Sequence, residues 1–462
     1  MLDGKKLMKM KRQSIHGQWS SRWAFIMAAT GSAVGLGNIW RFPYITGEYG
    51  GGAFVLMYVG CVLLVGIPIM MSEVLLGRRG RQSPINTMES LAKEEGLSSA
   101  WRYLGWMGVV AGFLILSFYS VVAGWTLEYI FQAGSGNFLT ATDDEIGEIF
   151  DALLRNPGQL LAMHTLFMAL TIVVVAMGVQ SGLERAVKFL MPALFILLLI
   201  MVGYAMSTDG FQEGMYYLFY PDWSKLSGEG FLVALGQAFF SLSLGMGAIM
   251  VYGSYLPDDA SIANTSISIA LVDLLVAIMA GLAIFPLVFA YGLDVSEGPG
   301  LIFVTLPIAF GQMPYGQLFG TGFFVLLMFA AWTSSISLLE PAVAWLVENR
   351  GIARARSAAI AGLIAWALGI GSVLSFNLWR DYKLFDKTYF DLVEYATSNV
   401  MLPLGGLLIA VFTAWLISRK SVIEELDLGE GKLFQTWLFA VRYVAPIGVV
   451  IILLHAVGLF EL

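Results

Sequence analysis

Long apolar runs separated by short polar stretches occupy most of this 462-residue chain. Eleven of the runs are long enough to cross about 30 Å of hydrocarbon as a helix, and we number them spans 1 to 11 in chain order. They lie near residues 23–46, 53–76, 103–132, 158–178, 187–207, 231–253, 265–292, 317–346, 357–376, 391–417 and 435–458. Between the spans, residues 80–97 are predicted to form a short interfacial helix, and residues 297–313 a re-entrant or surface hairpin.

Composition supports a protein with many membrane spans, because 58% of the residues are hydrophobic, 13% are charged and the mean hydropathy is +0.76. The single cysteine, Cys61, excludes a disulfide framework and a cysteine-built metal site. The three histidines are scattered, no cluster of His, Cys and carboxylates has catalytic spacing, and no nucleotide-binding loop is present. An enzyme is therefore not expected.

The distribution of Lys and Arg predicts the orientation in the membrane. If the N-terminus is cytoplasmic, nineteen of these residues fall on the inner side and five in the outer loops. An odd number of spans then puts the C-terminus outside. Residues 1–18 are basic and polar, without the apolar core of a cleavable signal peptide. We expect a multi-pass protein of the plasma membrane of a prokaryote.

Span 1 contains an interruption within residues 31–43, where Gly31, Gly35 and Gly37 are followed by Asn38 and Arg41. Each glycine lowers helix propensity by about 1 kcal/mol relative to alanine. Breaking a helix at membrane depth frees backbone carbonyls and amides, which are tolerated there only if they line a cavity or bind something. The pattern therefore predicts a binding site in the middle of this span.

The same feature recurs in span 6, where Gly245-Met246-Gly247 echoes Gly35-Leu36-Gly37 about 210 residues later. Five spans separate the two, so a repeat of this length is inverted across the membrane. Small residues at such spacing also serve merely to let helices pack closely, and for one isolated motif that explanation is favoured. Two interruptions at matching positions favour a transporter's central site.

The segment Gly35-Leu36-Gly37-Asn38-Ile39-Trp40-Arg41-Phe42-Pro43, followed by Glu48-Tyr49-Gly50-Gly51-Gly52-Ala53-Phe54, resembles the neurotransmitter:sodium symporter family. It is most similar to the bacterial branch of eleven-helix hydrophobic amino-acid transporters. The resemblance runs from about Trp19 to the end of the chain. It implies an all-α membrane protein with a leucine-transporter-like fold, a five-plus-five inverted repeat, and spans 1 and 6 unwound at the centre.

The fold implied by the resemblance divides the chain into five parts. These are a cytoplasmic N-terminal segment (1–22), a first repeat (23–207), an outer loop (208–230), a second repeat (231–418), and a cytoplasmic loop with span 11 (419–462).

The resemblance also implies the substrate-binding residues. Main-chain amides at Leu36, Gly37 and Gly247 suit a carboxylate, and carbonyls near Ala33, Phe240 and Ser241 suit an ammonium group or Na⁺. Tyr119 donates its hydroxyl to the substrate carboxylate. Where amine transporters of the family carry aspartate, this chain has Gly35, which favours an α-amino acid. The substrate side chain is expected to meet a largely apolar set: Ile115, Tyr119, Phe240, Ser243, Met246, Ser334 and Leu338.

Two Na⁺ ions are implied, each needing about five or six hard oxygen ligands. The first site uses Ala33, Asn38, Ser241, Asp273 and the substrate carboxylate. The second uses the carbonyls of Gly31, Val34 and Ala330 and the hydroxyls of Thr333 and Ser334. The residues alone favour a plainer interpretation for Thr333-Ser334-Ser335, in which the hydroxyls bond to carbonyls of their own helix.

Asp273 departs from the asparagine that many members of the family carry. A buried carboxylate is costly unless it is paired, and a neighbouring Na⁺ would pair it. Tyr58, Gln237 and Ser241 match chloride-site positions of the family, but Ala277 supplies no charge. We therefore expect Asp273 to replace chloride, so that no chloride is required.

Gates are implied on both sides of the site. Arg41 would close the outer side against Glu394 or Asp391, two acids on one face of span 10. Trp19, Tyr255 and Glu348 match the inner gate. His16 stands where many relatives have arginine, which leaves Lys11 or Arg12 as alternative cations. In span 5, Gly182 and Pro192 indicate either local unwinding or a simple proline kink.

The predicted function is sodium-coupled import of hydrophobic L-amino acids, aliphatic and aromatic, by alternating access with two Na⁺ per substrate. The expected partners are the amino acid, sodium and the lipid bilayer, with no nucleic acid. A sodium symporter for another small neutral solute and a non-transporting amino-acid sensor remain alternatives.

Overall fold

The computed structural model describes residues 12–295, 298–456 and 459, and in those residues the secondary structure is helical throughout, with two isolated β-bridges. Nine helices in the described residues are long and apolar enough to cross a membrane. They correspond to spans 2–5 and 7–11, and their bounds are Gly52–Gly80, Ser99–Gly134, Pro157–Ala176, Val179–Ala205, Ile262–Ala290, Gly316–Arg350, Arg354–Ser375, Tyr389–Leu416 and Lys432–His455.

Spans 1 and 6 are the two that consist of shorter helical pieces. Span 1 runs as an α-helix over Arg22–Ala33, a π-helical turn over Gly37–Arg41 and an α-helix over Phe42–Glu48. Span 6 consists of Gly228–Ser241 and Ala248–Ser254. The prediction of eleven spans with two interrupted helices is therefore confirmed. Spans 1–5 and 6–10 are the two halves of the inverted repeat, and each half begins with an interrupted helix.

Short helices occupy the connections between spans. The predicted interfacial helix is present as Pro84–Glu94. The segment predicted as a hairpin instead holds two short helical pieces, Leu301–Thr305 and Leu306–Gln312. The connecting segments hold further helices, which the search for membrane spans did not reveal because each is too short to cross a membrane: Asn137–Thr140, Asp143–Arg155, Phe211–Phe219 and Arg419–Leu426.

Polar side chains at the helix ends account for several boundaries. Ser21 accepts the backbone N–H of Ala24 at the start of span 1, and Ser227 accepts that of Gly230 at the start of span 6. These hydroxyls satisfy amide donors that the first turn of a helix leaves free. Gly351, with φ of +61°, ends span 8 in the left-handed conformation that glycine adopts without cost.

The interrupted spans lie at the centre of the bundle. The first half of span 1 packs against spans 7 and 8, and the second half of span 6 packs against span 2. Span 3 packs along span 8, and these two form the opposite wall. The breaks in spans 1 and 6 are consequently enclosed by protein and not exposed to lipid, as unpaired backbone groups at membrane depth require.

Candidate functional site

The break in span 6 is built from residues with an unusual backbone. Between Ser241 and Ala248 the chain is not helical, and Ser243, Gly245 and Gly247 have φ of 55°, 81° and 76°. A β-carbon at Gly245 would lie 2.4 Å from the carbonyl oxygen of Leu402 in span 10. Glycine is therefore required here both by its φ and by the close approach of another backbone.

A small cavity lies between the two breaks. All seven residues predicted to meet the substrate side chain line it, together with Ala33 and Gly37. Two further lining residues, Ser32 and Gly35, complete a wall that carries no charged side chain.

Gly35 makes room in this cavity. A β-carbon built on Gly35 would lie 2.4 Å from the Ser334 hydroxyl oxygen and 2.6 Å from the Tyr119 hydroxyl oxygen. Both distances are far below van der Waals contact, so any larger residue would displace the two hydroxyls. Glycine at this position therefore keeps two polar groups aimed into one small space.

Tyr119 is fixed by the break in span 1. The backbone N–H of Leu36 donates to the Tyr119 hydroxyl oxygen at 3.0 Å. Because that contact uses the oxygen as acceptor, the hydroxyl keeps its own proton for a second partner. The Leu36 amide is thus already engaged, and Gly247 lies against Pro84 and Pro341 and does not line the cavity.

Beside the cavity, Asp273 forms the centre of a buried polar cluster. Ser241 donates its hydroxyl to one carboxylate oxygen at 2.6 Å, and Tyr58 donates to the same oxygen at 3.2 Å. The Asn38 amide donates to the other oxygen at 2.8 Å. Asp273 is fully buried, and no Lys or Arg forms an ion pair with it within the described residues. A buried carboxylate with hydrogen-bond donors but no cation suits a bound positive ion.

The positions that resembled a chloride site are occupied by this cluster. Tyr58 and Ser241 both face Asp273, and the Gln237 amide donates to the Gly37 carbonyl at 2.8 Å. The acidic side chain therefore stands in direct contact with groups that would otherwise surround an anion.

A second oxygen cluster joins spans 1 and 8. The Ser334 hydroxyl oxygen lies 3.4 Å from the Gly31 carbonyl and 3.5 Å from the Val34 carbonyl, while the Thr333 hydroxyl donates to the Ala330 carbonyl at 3.0 Å. Thr333 and Ser335 bond within their own helix, as the plainer interpretation expected. Ser334 does not, because its hydroxyl reaches across to span 1. The five oxygens consequently form one group.

Within the described residues, no three His, Cys, Asp or Glu side chains cluster as a metal site. The first oxygen cluster instead combines an amide and hydroxyls with one carboxylate, and the second combines main-chain carbonyls with hydroxyls. That ligand set suits a hard monovalent cation better than a transition metal.

On the predicted outer side, Arg41 lies beside Phe240, which lines the cavity. Its guanidinium lies 3.4 Å from the Glu394 carboxylate and 5.0 Å from the centre of the Phe240 ring. Asp391 is engaged elsewhere, since it caps its own helix through Thr388. Of the two acids predicted for this gate, the structure therefore brings Glu394 to Arg41.

On the opposite side, the chain before span 1 folds over the bottom of span 6. Trp19 donates its ring N–H to the Tyr252 carbonyl and its backbone N–H to the Tyr255 carbonyl, both at 3.0 Å. His16 contacts Glu348 at 3.1 Å. Arg12 instead pairs with Glu94, and Lys11 lies outside the described residues. Of the described candidate cations, His16 is the one that reaches Glu348.

A buried ion pair beneath the cavity was missed by the sequence analysis. Arg354 donates to both carboxylate oxygens of Glu340, at 3.1 and 2.5 Å, and Tyr255 donates its hydroxyl to the same carboxylate at 2.7 Å. Glu340 is fully buried. An acid within the apolar run of span 8 was the signal that could have found it, because such residues are rare and functional.

Glu73 in span 2 was missed for the same reason. Its carboxylate accepts the backbone N–H of Gly245 at 2.6 Å, and the side chain is fully buried. It therefore holds the break in span 6 from outside the cavity.

Span 5 is helical throughout Val179–Ala205 in this structure. Gly182 lies in a π-helical stretch over Val179–Glu184, and Pro192 lies inside the following helix, Arg185–Ala205. The residues just before span 1 attach here, because Glu184 accepts hydrogen bonds from the backbone and hydroxyl of Ser20.

Comparison with known proteins agrees with this geometry. The family model of the sodium:neurotransmitter symporter family matches residues 16–142 and 144–461. An uncharacterized sodium-dependent transporter, YhdH of Bacillus subtilis, is 42% identical over 96% of this chain and 98% of its own length. One from Haemophilus influenzae is 34% identical over 94% of this chain and 96% of its own. The crystal structure of MhsT in complex with L-phenylalanine is 44% identical, covers 95% of this chain and 99% of its own, and superimposes with a TM-score of 0.89.

The relatives from B. subtilis and H. influenzae are sodium-dependent transporters and not enzymes, and all three matches extend over nearly the whole chain. The chain belongs to the sodium:neurotransmitter symporter family.

Proposed function

We propose that this protein imports hydrophobic L-amino acids together with two Na⁺ ions, without chloride. The observation that carries the proposal is the cavity between the breaks in spans 1 and 6, which combines polar main chain at one end with an uncharged, largely apolar wall. A zwitterion with an apolar side chain matches both ends of such a cavity.

The amino-acid backbone would bind where the polar groups converge. Tyr119 retains a hydroxyl proton for a carboxylate, and the Gly37 amide lies at the start of a helical turn, where an anion is favoured. The side chain would lie among Ile115, Met246 and Leu338. Met246 is flexible and polarisable, which supports tolerance of aliphatic and aromatic side chains. MhsT, solved with L-phenylalanine, supports the same substrate class.

The two oxygen clusters are the proposed sodium sites. One ion would bind at Asp273, Asn38, Ser241, Ala33 and the substrate carboxylate, which couples sodium to substrate directly. The other would hold span 1 to span 8 through Gly31, Val34, Ala330, Thr333 and Ser334. Two Na⁺ ions that enter down a membrane potential of 100 mV and a tenfold sodium concentration gradient would supply about 7 kcal/mol of free energy for substrate uptake.

Alternating access requires gates that open in turn. Arg41 and Glu394 would form the outer gate, while Trp19, Tyr255 and Glu348 would form the inner gate. Arg41 contacts Glu394 on the outer side, and on the inner side Trp19 contacts Tyr252 while His16 contacts Glu348. Contacts on both sides at once support an occluded state. Opening the inner gate would involve unwinding of span 5 between Gly182 and Pro192. The N-terminus would be cytoplasmic and the C-terminus outside, in the plasma membrane of a prokaryote.

Uptake into proteoliposomes tests the proposed function. We expect labelled L-phenylalanine and L-leucine to accumulate only when Na⁺ is higher outside, in chloride-free buffer as well as in chloride. A K⁺ gradient of the same size is the control. Accumulation that is independent of sodium would contradict the proposal, and sodium-dependent binding without accumulation would indicate a sensor instead.

Replacing Asp273 by asparagine tests the proposed independence from chloride. The substitution removes the negative charge beside the first sodium site while keeping the size of the side chain. We expect uptake to fall at least tenfold in chloride-free buffer and to recover partly when chloride is added. Full activity of Asp273→Asn without any chloride requirement would show that the carboxylate does not replace the anion.

A further inference from the structure

Arg442 is a charged residue inside span 11, and no step of the proposed transport cycle involves it. It lies ten residues beyond Lys432, where this span begins, and within a π-helical turn, Ala440–Val444. At 1.5 Å per residue, its backbone is about 15 Å inside the helix. Its side chain reaches the end of span 10, where it donates to the Ala414 carbonyl at 2.7 Å.

The guanidinium of Arg442 is only partly satisfied. Nε, the nitrogen that joins the guanidinium to the rest of the side chain, is buried and has no hydrogen-bond partner in the structure. Its other described contact is with the Trp415 ring, 4.7 Å from the ring centre. A guanidinium offers five N–H donors, so most of its hydrogen-bonding capacity is unused.

No carboxylate in the described part of the chain forms an ion pair with Arg442. Of the acids that precede span 11, Glu425 pairs with Arg78 and Glu430 pairs with Arg419. A cation at this depth normally pairs with an acid, with carbonyls or with a ligand. One carbonyl and one aromatic ring leave a net positive charge, which calls for an anion from outside the chain.

The surroundings of Arg442 indicate where that anion comes from. The Trp415 ring, which Arg442 contacts, packs against Tyr443, and Tyr443 packs against Phe439; Trp415, Phe439 and Tyr443 are 53%, 59% and 45% exposed. Ala414 lies two residues before Leu416, so the guanidinium lies close to the end of span 10 although the Arg442 backbone lies further inside span 11. Exposed aromatic side chains at that level are typical of the lipid headgroup region. A phospholipid phosphate is the anion that the headgroup region supplies.

We propose that Arg442, with Trp415 and Tyr443, binds the phosphate of one anionic phospholipid on the side of the membrane where span 11 begins. Two of the free guanidinium donors would hold two phosphate oxygens, a geometry that lysine does not reproduce. The exposed rings would contact the glycerol and the first acyl carbons. An anionic lipid is favoured over a zwitterionic one because no carboxylate of the described chain stands beside Arg442 to attract an ammonium headgroup.

Native mass spectrometry of the purified full-length protein tests this site. Phosphatidylglycerol or phosphatidylcholine is added at equal concentration, and bound lipid is counted for the parent protein, Arg442→Gln and Arg442→Lys. We expect one phosphatidylglycerol per protein on the parent, at least five times less on Arg442→Gln, and an intermediate amount on Arg442→Lys. The matched control is Arg419→Gln, which removes a cation that also faces an aromatic ring but already pairs with Glu430.

Melting temperatures of the same proteins distinguish binding of a phospholipid from binding of free inorganic phosphate. Phosphatidylglycerol is expected to raise the melting temperature of the parent and of Arg419→Gln, whereas inorganic phosphate is not. Equal retention of phosphatidylglycerol by the parent and Arg442→Gln would overturn the proposal, as would equal effects of lipid and inorganic phosphate. If Arg442→Gln does not fold, the comparison of Arg442→Lys with the parent decides, since unchanged lipid retention in Arg442→Lys contradicts bidentate binding.

Discussion

Replacement of Gly35 by alanine is expected to weaken amino-acid binding by about ten- to a hundredfold. The new methyl group would lie 2.4 Å from the Ser334 hydroxyl and 2.6 Å from the Tyr119 hydroxyl. Relief of this overlap costs about 1–3 kcal/mol and displaces the groups proposed to bind sodium and the carboxylate. Saturation binding of labelled L-phenylalanine to the purified protein, with sodium held constant, measures the loss.

Gly236→Ala is the matched control, because Gly236 lies in the first helix of span 6 and a β-carbon there meets nothing within 4 Å. It should leave the affinity unchanged or improve stability slightly, since alanine favours the helix. We also expect the sodium concentration needed for half-maximal binding to rise in Gly35→Ala. An affinity equal to that of Gly236→Ala would exclude a substrate site between Ser334 and Tyr119.

Replacement of Glu340 by glutamine is expected to open the inner side of the protein. The change leaves the Arg354 guanidinium without its charged partner and weakens the contact with Tyr255. Breaking a buried pair costs about 3–5 kcal/mol, and opening to water relieves that cost. The balance between closed and open inner gates should then shift by a factor of roughly 100 or more.

Cysteine labelling from the inner side measures this shift. The reporter is Ser254→Cys, a fully buried position next to Tyr255, in a Cys61→Ala background that removes the single natural cysteine. In saturating sodium, we expect the labelling rate to rise about a hundredfold with Glu340→Gln.

Two further variants separate the gate from a general loss of stability. Glu89→Gln removes an exposed ion pair with Lys93 and should not change labelling. Removing both buried charges, by Glu340→Leu with Arg354→Met, should return the rate toward that of the parent. A Glu340→Gln protein that labels as slowly as the parent would show that the pair does not hold the inner side closed.

The membrane spans and the two breaks were predictable from the sequence because their causes are local. An apolar run of about twenty residues has few alternatives to a spanning helix, and Gly35 and Gly245 sit where their backbones have left the helix. The four connecting helices were not predictable in this way. Asp143–Arg155, for example, is held by a capping box between Thr142 and Glu145, which a hydropathy pattern does not register.

The residues of the site could likewise be predicted in part, because some follow from the sequence pattern and others depend on contacts between distant spans. The residues lining the cavity follow from the resemblance, but the partners of Glu340, Glu73 and Glu394 depend on how distant spans meet. In the sequence, Glu340 and Glu73 are each an isolated acid within an apolar run. Their partners, Arg354 for Glu340 and the Gly245 amide for Glu73, follow only from the packing of spans 2, 6, 8 and 9. The choice between Asp391 and Glu394 likewise needed the position of Arg41.

Equilibrium binding of labelled L-phenylalanine to the purified protein, with Na⁺ replaced by K⁺ at constant ionic strength, tests the central claim most directly. If the breaks in spans 1 and 6 hold the amino acid and sodium together, binding is saturable in Na⁺ and is lost in K⁺. Equal binding in the two salts would contradict the account.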